Sequence, residues 1–107
     1  MSDNTQTLIW VDLEMTGLDP RACAIVEIAS IVTDSNLNIV AEGPNLVVSQ
    51  PASVLEKMDN EVRNLHQKSG LLERIKASTT SQHEASAQTL EFWKQYSKKG
   101  SSPLCGN

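Results

Sequence analysis

Asp12 and Glu14 stand two residues apart in an otherwise apolar segment, Leu8-Ile9-Trp10-Val11-Asp12-Leu13, which closes on the turn-like Thr16-Gly17-Leu18-Asp19-Pro20. The segment reads as a buried strand. Alternate side chains leave a strand on opposite faces, so the two carboxylates share one face while Leu13 takes the other. An oxygen-only pair of this kind suits a hard cation, Mg²⁺ or Mn²⁺. Such an ion takes one or two protein carboxylates and completes its shell with water and substrate phosphate.

Spacing alone decides little. With 13 acids in 107 residues, about 1.5 pairs two apart arise by chance, and the chain has two of them. The second, Asp59 and Glu61, falls in a predicted helix, where residues two apart do not face one another, and reads as a solvated face. What sets Asp12 and Glu14 apart is their expected burial. Ionised carboxylates inside an apolar strand are costly unless paired or metal-bound, and no Lys or Arg lies close by in the sequence. Two readings stand on these residues: a metal site, or strand-end carboxylates that reach water.

The elements that position this strand follow from hydrophobic pattern. Ala24 to Thr33 and Leu37 to Val48 form two further apolar runs joined by Asp34-Ser35-Asn36, so three consecutive, mostly antiparallel strands are expected. After Pro51 the period becomes helical, with Val54, Leu55, Met58, Val62 and Leu65 on one stripe and Ser69-Gly70 as its stop; Leu71 to Ala77 forms another short helix. A last helix is predicted over residues 82–98. Ser81-Gln82-His83-Glu84 supplies its capping box, Leu90, Trp93, Phe92 and Tyr96 its apolar pairs, and Lys98-Lys99-Gly100 its end. Pro103-Leu104-Cys105 opens a fourth strand, and Asn107 follows two residues later. The expectation is a single α/β domain over residues 1–107 that is truncated as it returns to its sheet.

Composition narrows the function. At 39% hydrophobic and 21% charged residues, the chain can bury a core. Its longest apolar run, Ala22 to Val26, is far short of a membrane span, and Met-Ser-Asp-Asn-Thr-Gln-Thr has no secretory character, so a cytoplasmic location is expected. Cys23 and Cys105 lack neighbours at metal-ligand spacing and read as reduced thiols. The formal net charge is −4, but residues 1–50 hold seven acids against Arg21, while residues 51–107 hold eight bases against six acids. The acidic half does not suit a polyanion bound by counterion release; it suits divalent cations.

The run Trp10-Val11-Asp12-Leu13-Glu14-Met15-Thr16-Gly17-Leu18 resembles the first motif of the DEDD 3′-to-5′ exonucleases, which share a ribonuclease H-like fold. More narrowly, the chain is similar to the oligoribonuclease family. The likeness continues through the segments Glu27 to Ser35, Asn36 to Leu46, His66 to Leu71, Thr89 to Phe92 and Ser102 to Asn107. The resemblance implies an incomplete ribonuclease H-like domain. It also implies hydrolysis of oligoribonucleotides of two to five residues to mononucleotides by two Mg²⁺ or Mn²⁺ ions, and a homodimer. By carry-over, Asp12 bridges both ions and Glu14 binds one and approaches the terminal 3′-hydroxyl. Leu18 wedges against the bases and Gly17 lets the backbone come close to the nucleotide. A short single-stranded RNA carries few phosphates, so an acidic protein can hold it through metals and end recognition.

The family pattern also has parts with no counterpart here. Of its four carboxylates and histidine, only the first two carboxylates can be placed, and neither His66 nor His83 matches the histidine of the third motif. His83 reads as a solvated residue in the first turn of the capped helix. His66 lies in a segment the family places near the active site, and reads either as a substrate contact or as a structural imidazole. Glu61-Val62 departs from the family, where a tryptophan that helps hold the substrate precedes the His-containing segment. Two carboxylates cannot fix two cations against their mutual repulsion, so these 107 residues alone are expected to be inactive or nearly so. A non-catalytic nucleic-acid-binding or dimer-partner fragment of the same fold is the alternative.

Overall fold

The computed structural model describes residues 7–17, 19, 21, 23–96 and 104–106. Three apolar runs pair as expected. β1 (Thr7–Met15) and β2 (Ile25–Asp34) are antiparallel, with Asp12 opposite Ala29 and Glu14 opposite Glu27. β3 (Ile39–Val47) adds antiparallel to the outer side of β2. β4 (Leu104–Gly106) runs parallel to β1 on its other side, giving a four-stranded sheet in the order β3-β2-β1-β4. The expected opening of a fourth strand is therefore present, and it docks directly beside the strand that carries Asp12 and Glu14.

β3 starts two residues later than the apolar run because the turn is longer than Asp34-Ser35-Asn36. Leu37 takes a left-handed φ of 68°, and the Asp34 carboxylate accepts from the backbone N–H groups of Asn36 and Asn38 at 2.8 and 2.9 Å. These bonds favour the ionised form. The Asn38 backbone bond, aided by the Asn38 side chain, holds the Asp34 carboxyl below the ordinary aspartate range.

The helical stripe after Pro51 is broken into α1 (Ala52–Leu55) and α2 (Asn60–Ser69). Asp59 lies outside the helix and caps it, its carboxylate accepting from Glu61 N at 3.1 Å. The solvated reading of Asp59 and Glu61 holds, since both are exposed, but the capping role is new. Gly70, at φ 82°, then ends α2 and starts α3 (Leu71–Ala77), a conformation for which glycine is suited. α4 (Gln82–Tyr96) opens on the expected capping box: Glu84 N donates to Ser81 Oγ at 3.0 Å and Ser81 N to the Glu84 carboxylate at 3.4 Å. The Lys98-Lys99-Gly100 end lies outside the described residues.

Two apolar clusters fix the helices to the sheet. In one, Ile28, Val48 and Ala85 are buried, with Val11, Leu13, Ile25 and Leu46 packed around them, so α4 covers the face that Leu13 enters. Trp93 Nε1 donates to Ser30 Oγ at 3.0 Å on this face, and Phe92 packs so closely on β3 that a Cβ at Gly43 would lie 2.5 Å from its ring. In the other, Val26 meets Leu71 and Ile75, with Val47 and Leu55 alongside, which seats α3 at one end of the sheet. Each Val, Leu or Ile side chain fully withdrawn from water in these clusters contributes about 1.5–3 kcal/mol. The opposite face, bearing Trp10, Asp12 and Ile31, stays open to solvent among the described residues; Trp10 and Ile31 are each 37% exposed. No helix among the described residues is long and apolar enough to cross a membrane.

Candidate functional site

β1 carries Asp12 and Glu14 onto the open face because Leu13 between them is drawn into the core against Ile28. The shared face is as the spacing predicts. The degree of burial is not: Asp12 is exposed and Glu14 half-buried, because α4 packs on the other side of the sheet. Neither carboxylate is neutralised by a Lys, Arg or His among the described residues. The pair therefore keeps its charge available to a cation rather than spending it on a protein partner.

Past Glu14 the β1–β2 ladder slips register. The chain turns through Thr16, which is buried, donates its N–H to Ala24 O at 2.9 Å, and accepts from Ala24 N through Oγ1 at 3.0 Å. Gly17 is buried against Cys23, and a Cβ there would approach Cys23 Sγ to 2.6 Å. The loop itself thus gives a packing reason for glycine, in addition to the close nucleotide approach that the resemblance implies. Leu18 lies outside the described residues.

His66, on α2, comes back to this turn across 51 residues of sequence. It is 4% exposed, and its Nε2 lies 2.8 Å from Met15 O. A carbonyl only accepts, so Nε2 carries the proton and donates. Of the two roles open to His66, this contact supplies the structural one, and it supplies it next to Glu14. Glu14, Met15, Gly17, Val62, Leu65 and His66 line one open cleft of about 320 Å³. A second depression, of about 460 Å³, is lined by Trp10, Asp12, Ala29, Ile31 and Gly106. Of the expected site residues, the structure gathers Glu14, Gly17 and His66 in one cleft and places Asp12 on the adjoining stretch of the same strand. His83 is exposed at the start of α4, as expected, and lines neither hollow.

Sequence reasoning missed the Met15 carbonyl, which as a backbone group has no residue signature, and the exposure of Leu65 at the cleft. Leu65 is 65% exposed although its spacing places it on the apolar stripe. An apolar residue at the edge of such a stripe, one turn before the α2 stop, is the only signal the sequence offers for it.

The donor chemistry of Asp12 and Glu14 fits a hard divalent cation in kind, through oxygen ligands of full negative charge on one face. In number they are a partial shell. Among the described residues no group of three or more His, Cys, Asp or Glu is placed to hold a metal ion. One ion held by two carboxylates, water and substrate phosphate is within the ordinary range for Mg²⁺. Two ions require further donors.

Residues 9–107 match the family described as Exonuclease, the RNase_T domain. The chain belongs to the exonuclease family. This family's domain is ribonuclease H-like, and the mixed sheet followed by helices agrees with it. Its members are divalent-metal dependent. Curated relatives include the oligoribonucleases of Vibrio campbellii, 59% identical over 107 residues, and Haemophilus influenzae, 55% identical over 107 residues. In both, all of this chain aligns with 59% of the relative. The oligoribonuclease of Marinobacter nauticus is 57% identical over 104 residues, covering 97% of this chain and 58% of the relative. The chain thus spans about 59% of the length of the curated relatives it matches.

Proposed function

We propose that the protein is a metal-dependent 3′-to-5′ exoribonuclease that converts short single-stranded oligoribonucleotides to mononucleotides in the cytoplasm. One observation carries this: Asp12 and Glu14 leave the same sheet face, unpaired by any basic group among the described residues, on the strand that opens the family match. In this reading both carboxylates would hold Mg²⁺ or Mn²⁺. The bound metal supplies an activated water and stabilises the leaving oxygen.

The chain's own residues do the positioning. Leu13, half-buried between the two acids, fixes the rotation of β1 and so the direction in which both carboxylates project. His66 ties the Met15 carbonyl to α2, which prevents the turn after Glu14 from drifting into the cleft. That cleft, about 320 Å³, is of the size that takes one nucleoside. Glu14 at its wall would accept a hydrogen bond from a terminal ribose hydroxyl, and Gly17 lines the same cleft. Leu18, next in the chain, is assigned to the bases. Glu61 offers no aromatic surface, so stacking worth about 1–3 kcal/mol per base is absent at that point. The homodimer implied by the resemblance belongs to the same reading.

The test is cleavage of a 5′-labelled diribonucleotide by the protein in Mn²⁺, beside an Asp12→Ala control. Release of a mononucleotide by the protein and not by the control supports the proposal; cleavage that survives Asp12→Ala refutes it.

A further inference from the structure

A third acid shares the face of Asp12 and Glu14. Glu27 is the direct cross-strand partner of Glu14, which sets their Cβ atoms about 5 Å apart, a distance at which like charges repel. Among the described residues, Glu27 alone of the three has an ion-pair partner. Its side chain is 15% exposed, and Oε2 lies 3.6 Å from Arg74 Nη1. The guanidinium comes from α3, where Leu71 and Ile75 pack against Val26, the residue before Glu27. Arg74 is therefore delivered by an element seated on the same short stretch of β2 that presents Glu27.

We infer that Arg74 withholds Glu27 from the cation, so that Asp12 and Glu14 alone present charge and oxygen ligands to it. Arg74 is a positioning residue: it touches neither substrate nor metal, and sets how many carboxylates face the ion. This rests on the metal-binding reading of Asp12 and Glu14. It has a signature that a merely structural ion pair lacks. Removing Arg74 frees a negative charge beside the site and strengthens cation binding. Removing the Glu27 charge leaves an unpaired guanidinium there and weakens it. A pair that only pinned α3 to β2 would shift both variants the same way.

The experiment is Mn²⁺ binding to the protein, followed through the electron paramagnetic resonance signal of the free ion. Arg74→Gln is expected to tighten binding by about three- to tenfold and Glu27→Gln to weaken it by about as much, the scale of one unit charge moved close to a divalent ion in partly exposed surroundings. The double variant is expected within about twofold of the original, since the two effects offset one another. Arg74→Lys keeps the charge, so its affinity is also expected to stay within about twofold; Arg74→Met, which removes the charge and keeps an apolar stem, takes the place of Arg74→Gln should that variant fail to fold. Shifts of the same sign in Arg74→Gln and Glu27→Gln, or no shift in either, overturn the inference. So does tightening in Arg74→Lys. Undiminished Mn²⁺ binding by Asp12→Asn overturns the metal reading beneath it instead, so the two failures are told apart.

Discussion

Replacing His66 by Ala removes a hydrogen bond that ties α2 to the turn after Glu14, the 2.8 Å bond from Nε2 to Met15 O. Two costs add. A half-buried carbonyl loses its donor, worth about 1–3 kcal/mol when the group stays away from water. An imidazole that is 4% exposed also leaves a void behind it, and removing a packed ring commonly costs a further kcal/mol or more, at about 20 cal/mol per Å² of cavity surface. The sum is about 2–4 kcal/mol. In a domain of this size, each kcal/mol moves the midpoint of thermal unfolding by about 4–8 °C. Urea and thermal denaturation of His66→Ala, of His66→Gln, which retains a donor, and of His83→Ala give the comparison. His83 is exposed, so its variant is expected within about 0.5 kcal/mol of the original. His66→Gln is expected to recover part of the loss. If His66→Ala unfolds with His83→Ala, the bond to Met15 does not hold the turn, and the positioning role given to His66 is refuted.

Gly43→Ala places a Cβ 2.5 Å from the Phe92 ring; relieving that overlap is expected to cost about 1–3 kcal/mol, visible in urea titration, and an unchanged midpoint would show that α4 is loosely seated on β3. Asp34 carries the pH dependence of the β2–β3 turn. Because its folded carboxyl titrates below its unfolded value, its contribution is complete above the unfolded pKa, near pH 4, and is lost as pH falls through the lower folded one. Amide exchange at Asn36 and Asn38 should accelerate over that acid range beyond the intrinsic trend, and Asp34→Asn should abolish the effect.

The sheet is legible in the sequence because each strand is an apolar run closed by turn residues, and even three residues, Leu104 to Gly106, are enough for the parallel strand to form beside β1. The Ser81 capping box is legible because its chemistry is local, two reciprocal bonds within four residues. The break between α1 and α2 is not, since Met58 remains 4% exposed in the connecting turn and so continues the apolar stripe across a gap in the helix. The shared face of Asp12 and Glu14 follows from strand geometry alone. Their exposure does not, because it depends on which side of the sheet α4 covers. Nor does the meeting of His66 with Met15, or of Arg74 with Glu27, which tertiary folding brings together across 51 and 47 positions.

On the proposed function, the face bearing Asp12 and Glu14 grips a hard divalent ion. Anomalous scattering from crystals of the protein grown with Mn²⁺ locates that ion directly. The expected result is a peak about 2.1 Å from a carboxylate oxygen of Asp12, with a Glu14 oxygen on the same ion or joined to it through one water. A Mn²⁺ peak elsewhere, with both carboxylates facing only solvent, would contradict it.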